Sequence, residues 1–184
     1  MNNQNIRHAL SKITWAYLLI LLNFRINDLD LLPNWAGYLL IFLAIGQLSG
    51  ELRNLPLLKP FCILLGIAAG VDWLALPLSG AELTGRFFLL SALVACVALY
   101  FHFQLLTDLA ALAEEMLGDG ELAKRLRTSR TLFLLSQTAM YCYDLVLQAM
   151  GLVVLLLAVT FCVSVLLLFQ LWGFSRDLET QQNP

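Results

Sequence analysis

A chain of 184 residues that is 60% apolar and 13% charged, with a mean hydropathy of +0.78, departs from ordinary soluble domains, which run about 45–50% apolar and about 25% charged. Its formal charge of −2, from 11 Lys+Arg against 13 Asp+Glu, lacks the basic excess that binding to a phosphate backbone requires, so nucleic acid is disfavoured as a partner. The reading is an all-α, polytopic membrane helical bundle of about six transmembrane helices, one integral membrane domain over residues 1–184 whose first partner is the lipid bilayer.

A span needs about 20 mostly apolar residues, about 17 at the short end, because the hydrocarbon is about 30 Å thick. The first is expected at residues 9–24. The apolar stretch after Lys12 imitates a secretory segment, but no small-residue cleavage site follows it, so it reads as a retained span. The second is expected at residues 31–48. Between them runs Asn23-Phe24-Arg25-Ile26-Asn27-Asp28-Leu29-Asp30-Leu31-Leu32-Pro33-Asn34-Trp35-Ala36-Gly37-Tyr38. Pro33 lacks an N–H and suits the first turn of a helix, and Asn34 can satisfy nearby orphan donors. Trp35 and Tyr38 belong at the headgroup level. Gly37 would admit the first span closely, and Gly46 and Gly50 form a G-x-x-x-G at the end of the second.

This hairpin resembles the opening of small, uncharacterised polytopic integral membrane proteins common in Firmicutes. In those, an Asn-Phe pair ends one span and Leu-Pro-(Asp/Asn)-x-x-Gly-Tyr starts the next. The resemblance covers about the first fifty residues, as far as the flanking spans reach, implies a bacterial cytoplasmic membrane, and brings no known activity. Asn34 stands where those proteins often carry Asp, so no charge-based role carries over to it.

The third span is expected at residues 60–78 and the fourth at residues 87–106. Asp72 lies twelve residues after Pro60, about 18 Å along the helix. Ala68, Ala69 and Ala75 flank it with small side chains, and Gly66 and Gly70 form a second G-x-x-x-G on another face. These glycines mark close helix packing. Together with Gly46 and Gly50 they are also candidates for contact with a membrane-protein partner or a second copy.

Residues 107–130 are expected to form a cytoplasmic helical hairpin: helix formers up to Leu117, a turn at Gly118-Asp119-Gly120, and a return from Glu121. Lys124, Arg125, Arg127 and Arg130 either enforce orientation or make a docking or anionic-lipid contact. The last apolar stretch is expected to break at Gln148-Ala149-Met150-Gly151 into spans at residues 131–148 and 151–172. Gln137, Tyr141, Asp144 and Gln148 sit at i, i+4, i+7 and i+11 and make one polar stripe.

This count places nine Lys and Arg on one side and only Arg25 and Arg86 on the other, which puts both termini in the cytoplasm. Each odd-numbered span carries a hydrogen-bonding residue in its outer part, Asn23, Asp72 or Asp144. An Asp near mid-span costs about 2.5–3.5 kcal/mol on insertion scales, so both aspartates should face protein or water. Two readings stay open. In one, Arg25 and Arg86 neutralise the aspartates and interhelical hydrogen bonds satisfy the stripe. In the other, the aspartates line an outward-facing polar cavity that binds a proton, cation or polar solute, as a small transporter would. A membrane scaffold or accessory subunit is the alternative role.

No metal or cofactor site is expected: His8 and His102 lack partners at ligand spacing, and Glu114-Glu115 lacks the histidine pair of a membrane protease. An enzyme is not expected either, since no nucleophile and base pair is apparent. Cys62, Cys96, Cys142 and Cys162 fall inside apolar runs without a C-x-x-C pair and read as small buried hydrophobes.

Overall fold

A computed structural model describes residues 3–21, 25–26, 29–30, 33–50, 55–79, 84–118, 120–146 and 150–182. The chain is helical, with six α-helices and one minimal two-stranded ladder among these residues. Three helical stretches, Leu55–Leu78, Phe88–Leu117 and Val153–Leu178, are long and apolar enough to cross a membrane. The apolar helix at Asn34–Leu48 is shorter. By its internal contacts the chain forms two compact units, Met1–Phe101 and His102–Pro184.

The first unit opens with α1 (Asn3–Leu21). Ile6, Leu10, Ile13 and Tyr17 recur at i, i+4, i+7 and i+11 and are all buried, the apolar stripe of an amphipathic helix. Two-residue strands β1 (Arg25–Ile26) and β2 (Leu29–Asp30) pair antiparallel, Arg25 opposite Asp30, and lead to α2 (Asn34–Leu48). Pro33 stands just outside α2 in extended conformation (φ −67°, ψ 114°) and contributes its carbonyl to the Ala36 N–H at 2.9 Å. Asn34 does not take the capping role expected of it: α2 has no side-chain cap, and the buried Asn34 Oδ1 has no hydrogen-bond partner among the described residues.

Helices α1 and α2 pack tightly, and Gly37 is the reason. A Cβ at this position would lie 2.6 Å from Ile20 Cγ1 and 2.9 Å from the Ala16 carbonyl oxygen. The second of these is backbone, which cannot swing away. On its other side α2 meets α3 (Lys59–Ser79), which follows a 3-10 turn at Leu55–Leu58. Gly66 faces the Tyr38 Cβ and Gly70 the Trp35 side chain at ordinary contact distance, so this G-x-x-x-G is used within the chain. Around Gly46 and Gly50 the space is open.

Tyr38 departs from its expected place in an aromatic belt. It is 8% exposed, its ring meets Phe101 edge-on at 6.0 Å, and the buried Cys62 thiol donates to its carbonyl at 3.1 Å. Trp35 meets Trp73 of α3 edge-on at 6.2 Å. Cys96, Cys142 and Cys162 differ from Cys62 in being exposed on the helix surfaces, so only one of the four thiols fits the expected buried role.

The second unit contains the later part of α4 (Phe88–Leu117), α5 (Gly120–Val146) and α6 (Met150–Gln182). Helix α4 continues eleven residues past Leu106, where its span was expected to end. Gly118 then closes it with φ +61°, a left-handed conformation that glycine adopts without Cβ strain, while its N–H bonds the Glu114 carbonyl at 3.2 Å. Helices α5 and α6 pack on each other. Ala123, Leu126, Ser129, Phe133 and Ser136 form the buried side of α5, and Leu167, Leu171, Phe174 and Leu178 that of α6. Elsewhere α6 is bare: 11% of its most apolar stretch is buried. Water would not tolerate such a surface on a stable fold, whereas hydrocarbon would.

Candidate functional site: two polar clusters on apolar helices

Asp72 stands two turns before the C-terminus of α3, half-buried among small neighbours. Its partner is Thr84, at the start of the 3-10 turn Thr84–Arg86 that leads into α4. The Thr84 backbone N–H donates to Oδ1 at 2.9 Å, and the Thr84 hydroxyl donates to Oδ2. Both carboxylate oxygens are therefore engaged by a single residue. The arrangement is that of an N-cap supplied from another helix: an anionic acceptor meets the orphan N–H that opens a turn. Charge-assisted bonds of this kind are about twice as strong as neutral ones. A connection between two apolar helices is thereby tied down from within the protein.

The other residues expected at this site have different fates. Arg86 ends the same short turn and is exposed, with an interaction of its own. Arg25 lies in β1, with its side chain outside the description, and Asn23 and Gln148 fall outside the described residues. Gln137, Tyr141 and Asp144 all belong to α5 in the second unit, whereas Asp72 belongs to the first. Gln137 is half-buried; Tyr141 is 41% exposed and engaged in an interaction; the Asp144 side chain is outside the description.

A second cluster lies where α4 and α5 run side by side in the second unit; the sequence points to Arg127 and Arg130 in it as a docking or anionic-lipid contact, whereas Gln104, Thr107 and Asp108 were not anticipated. Gln104 donates to Asp108 Oδ1 at 2.9 Å across one helical turn. Asp108 is 8% exposed, and its Oδ2 is buried with no donor among the described residues. One residue earlier, Thr107 donates its hydroxyl to the Phe103 carbonyl at 2.6 Å and accepts from Arg130 Nη1, also at 2.6 Å. The Arg130 guanidinium lies over the Phe103 ring, 4.4 Å from its centroid, a cation–π contact. Nearby on the same two helices, His102 is buried and meets Phe133 edge-on at 5.7 Å. Toward the tip, Arg127 Nη2 pairs with Glu114 Oε2 at 2.6 Å, both side chains about half exposed.

Two signals in the sequence could have found these groups. Gln104, Thr107 and Asp108 stand at i, i+3 and i+4, one polar face at the end of an apolar run, and Thr84-Gly85 is a turn opening after a membrane carboxylate. No spacing rule joins Asp72 to Thr84, because the connection between their helices sets that distance. Among the described residues no three His, Cys, Asp or Glu side chains converge as a metal site would require.

No protein-family model matches this chain, and no curated protein or solved structure matches it either.

Proposed function

We propose that the chain is a polytopic protein of the bacterial cytoplasmic membrane, both termini cytoplasmic, that acts as a scaffold or accessory subunit for another membrane protein. The observation that carries this reading is the use of Asp72. Each oxygen of Asp72 accepts a bond from Thr84, so half of the carboxylate's about four acceptor sites, and its orientation, are committed to the protein itself. Its charge then serves to fasten the α3–α4 connection. The span-capable helices, the bare surface of α6 and the resemblance of the first hairpin to small multi-pass proteins are in keeping with this role.

Solute binding would fall to Asp144 with Gln137, Tyr141 and Gln148, and the test separates the two roles. The purified chain is reconstituted alone into liposomes loaded with a pH-sensitive dye. A scaffold leaves proton and cation flux at the level of empty liposomes, and Asp144→Asn changes nothing. A flux above that background, abolished by Asp144→Asn in a variant of unchanged thermal stability, would overturn the scaffold reading in favour of transport.

A further inference from the structure

The α4–α5 hairpin records where a membrane surface meets it. On the outward side of α4, Tyr100 and Phe103 are 51% and 42% exposed, and past Thr107 the exposed residues become Ala111, Glu114 and Glu115. The outward side of α5 changes character at the same level: Glu121, Lys124, Arg125, Thr128 and Thr131 are exposed up to that point, and Leu132 and Leu135 beyond it. The Arg130–Thr107 hydrogen bond ties the two transitions together. An aromatic ring under a cation, with apolar side chains on one side and charge on the other, is what a headgroup boundary selects. From Thr107 the hairpin rises ten residues to Leu117, about 15 Å.

Charge is sorted along that rise. Arg130 lies at the boundary, followed by Arg127, Arg125 and Lys124, whereas Glu121, Glu114 and Glu115 lie toward the tip. Net charge on the hairpin nearly cancels, yet its cations and its exposed carboxylates Glu114, Glu115 and Glu121 are sorted along the rise, the carboxylates nearer the tip; the buried Asp108 is the one carboxylate at the base among the described residues. Orientation during insertion does not require that order. The cations also differ in their commitments: Arg127 is paired with Glu114, while Lys124 and Arg125 are exposed and have no side-chain partner among the described residues. Arg130 carries five N–H donors, and among the described residues its hydrogen bond is to Thr107 Oγ1; its Nε is buried without an acceptor among them, which leaves the terminal guanidinium nitrogens to meet a phosphate.

We infer that the α4–α5 hairpin binds an anionic phospholipid, with Arg130 at its base as the fixed donor to the phosphate and the exposed Lys124 and Arg125, six and five residues nearer the tip, adding electrostatic attraction to the anionic surface. This rests on the membrane-spanning reading above but not on the scaffold role. Arg130 is held in place by Thr107 and Phe103 before any lipid arrives, so little side-chain freedom is lost on binding. Each further cation near an anionic surface is worth about a fivefold preference.

The test uses the full chain in nanodiscs of mixed phosphatidylglycerol and phosphatidylcholine, with the lipids retained after gentle delipidation counted by native mass spectrometry. The expected result is selective retention of phosphatidylglycerol. The exposed double variant Lys124→Gln with Arg125→Gln should lower that selectivity by about fivefold per charge removed, about 25-fold together, with thermal stability unchanged, and adding Arg130→Gln should lower it further. Equal retention of the two lipids by the native chain, or selectivity untouched in all variants, overturns the site. Competition by inorganic phosphate at millimolar concentration would make it a site for free anions and overturn the lipid assignment. Failure of the chain to enter nanodiscs at all would sink the membrane reading, an outcome distinct from loss of selectivity.

Discussion

At Gly37 one missing methyl group decides how two helices meet. Gly37→Ala would drive a Cβ to within 2.9 Å of the Ala16 carbonyl, and overpacking of this kind costs about 1–3 kcal/mol. Gly46→Ala meets open space and should be neutral or stabilising, since Ala is the better helix former by up to about 1 kcal/mol. Thermal unfolding in one detergent should therefore move the two variants in opposite directions; equal shifts would argue against the close α1–α2 crossing. Asp72 and Thr84 make a sharper comparison. Asp72→Ala leaves the Thr84 N–H and hydroxyl without their acceptor, a loss of about 1–3 kcal/mol. Thr84→Val removes one of the two bonds and should cost less. Because the residues act as a pair, the double variant should be less destabilised than the two single losses added together. Additive losses would mean the contact is not made.

Among the elements, the hairpin of α4 and α5 gives the clearest forecasts. Gly118 has φ +61°, where a residue with a Cβ is disfavoured by about 1–2 kcal/mol, so Gly118→Ala should lower the melting temperature although nothing lies near the missing side chain. Arg127→Ala, by contrast, breaks an ion pair whose side chains are 49% and 53% exposed; such pairs contribute at most about 1 kcal/mol, and the variant should melt almost where the native chain does. The turn at Gly118 could be read from the residues, since Gly-Asp-Gly after a run of helix formers has few other outcomes. The helical continuation of α4 to Leu117 was legible as well: apolarity fades after Leu106, but the helix propensity of residues 107–117 carries it on. Tyr38, by contrast, was misplaced. Composition identifies an amphipathic aromatic, but whether it faces lipid interface or protein depends on the neighbouring helices, and Phe101 and Gly66 stand far from it in the sequence. The aspartate's partner escaped notice in the same way, because arginines draw attention as counter-charges whereas a threonine hydroxyl and its N–H do not.

For the whole molecule the membrane reading has its own check. Cys96 and Cys162 are exposed and lie in two of the three span-capable stretches. Facing hydrocarbon, they lie where a charged reagent does not enter. Both should resist a charged maleimide in intact membranes and react once the chain is unfolded in dodecyl sulfate. Rapid labelling in native membranes would place them in water. Glu121→Cys, at the hairpin tip, should label only where the cytoplasmic face is open to the reagent; labelling from the opposite side would reverse the orientation. The glycine contact that opens the first unit bears on how such a protein is made. Helix α2 has 15 residues, about 22 Å of rise against about 30 Å of hydrocarbon, and α1 is not among the stretches able to cross unaided. Neither is long and apolar enough to be a good passenger by itself as it leaves the ribosome, so the contact at Gly37 should let the two enter together. Their biogenesis should be pairwise: a nascent chain ending before α2 should fail to anchor, and one extended just beyond it should hold.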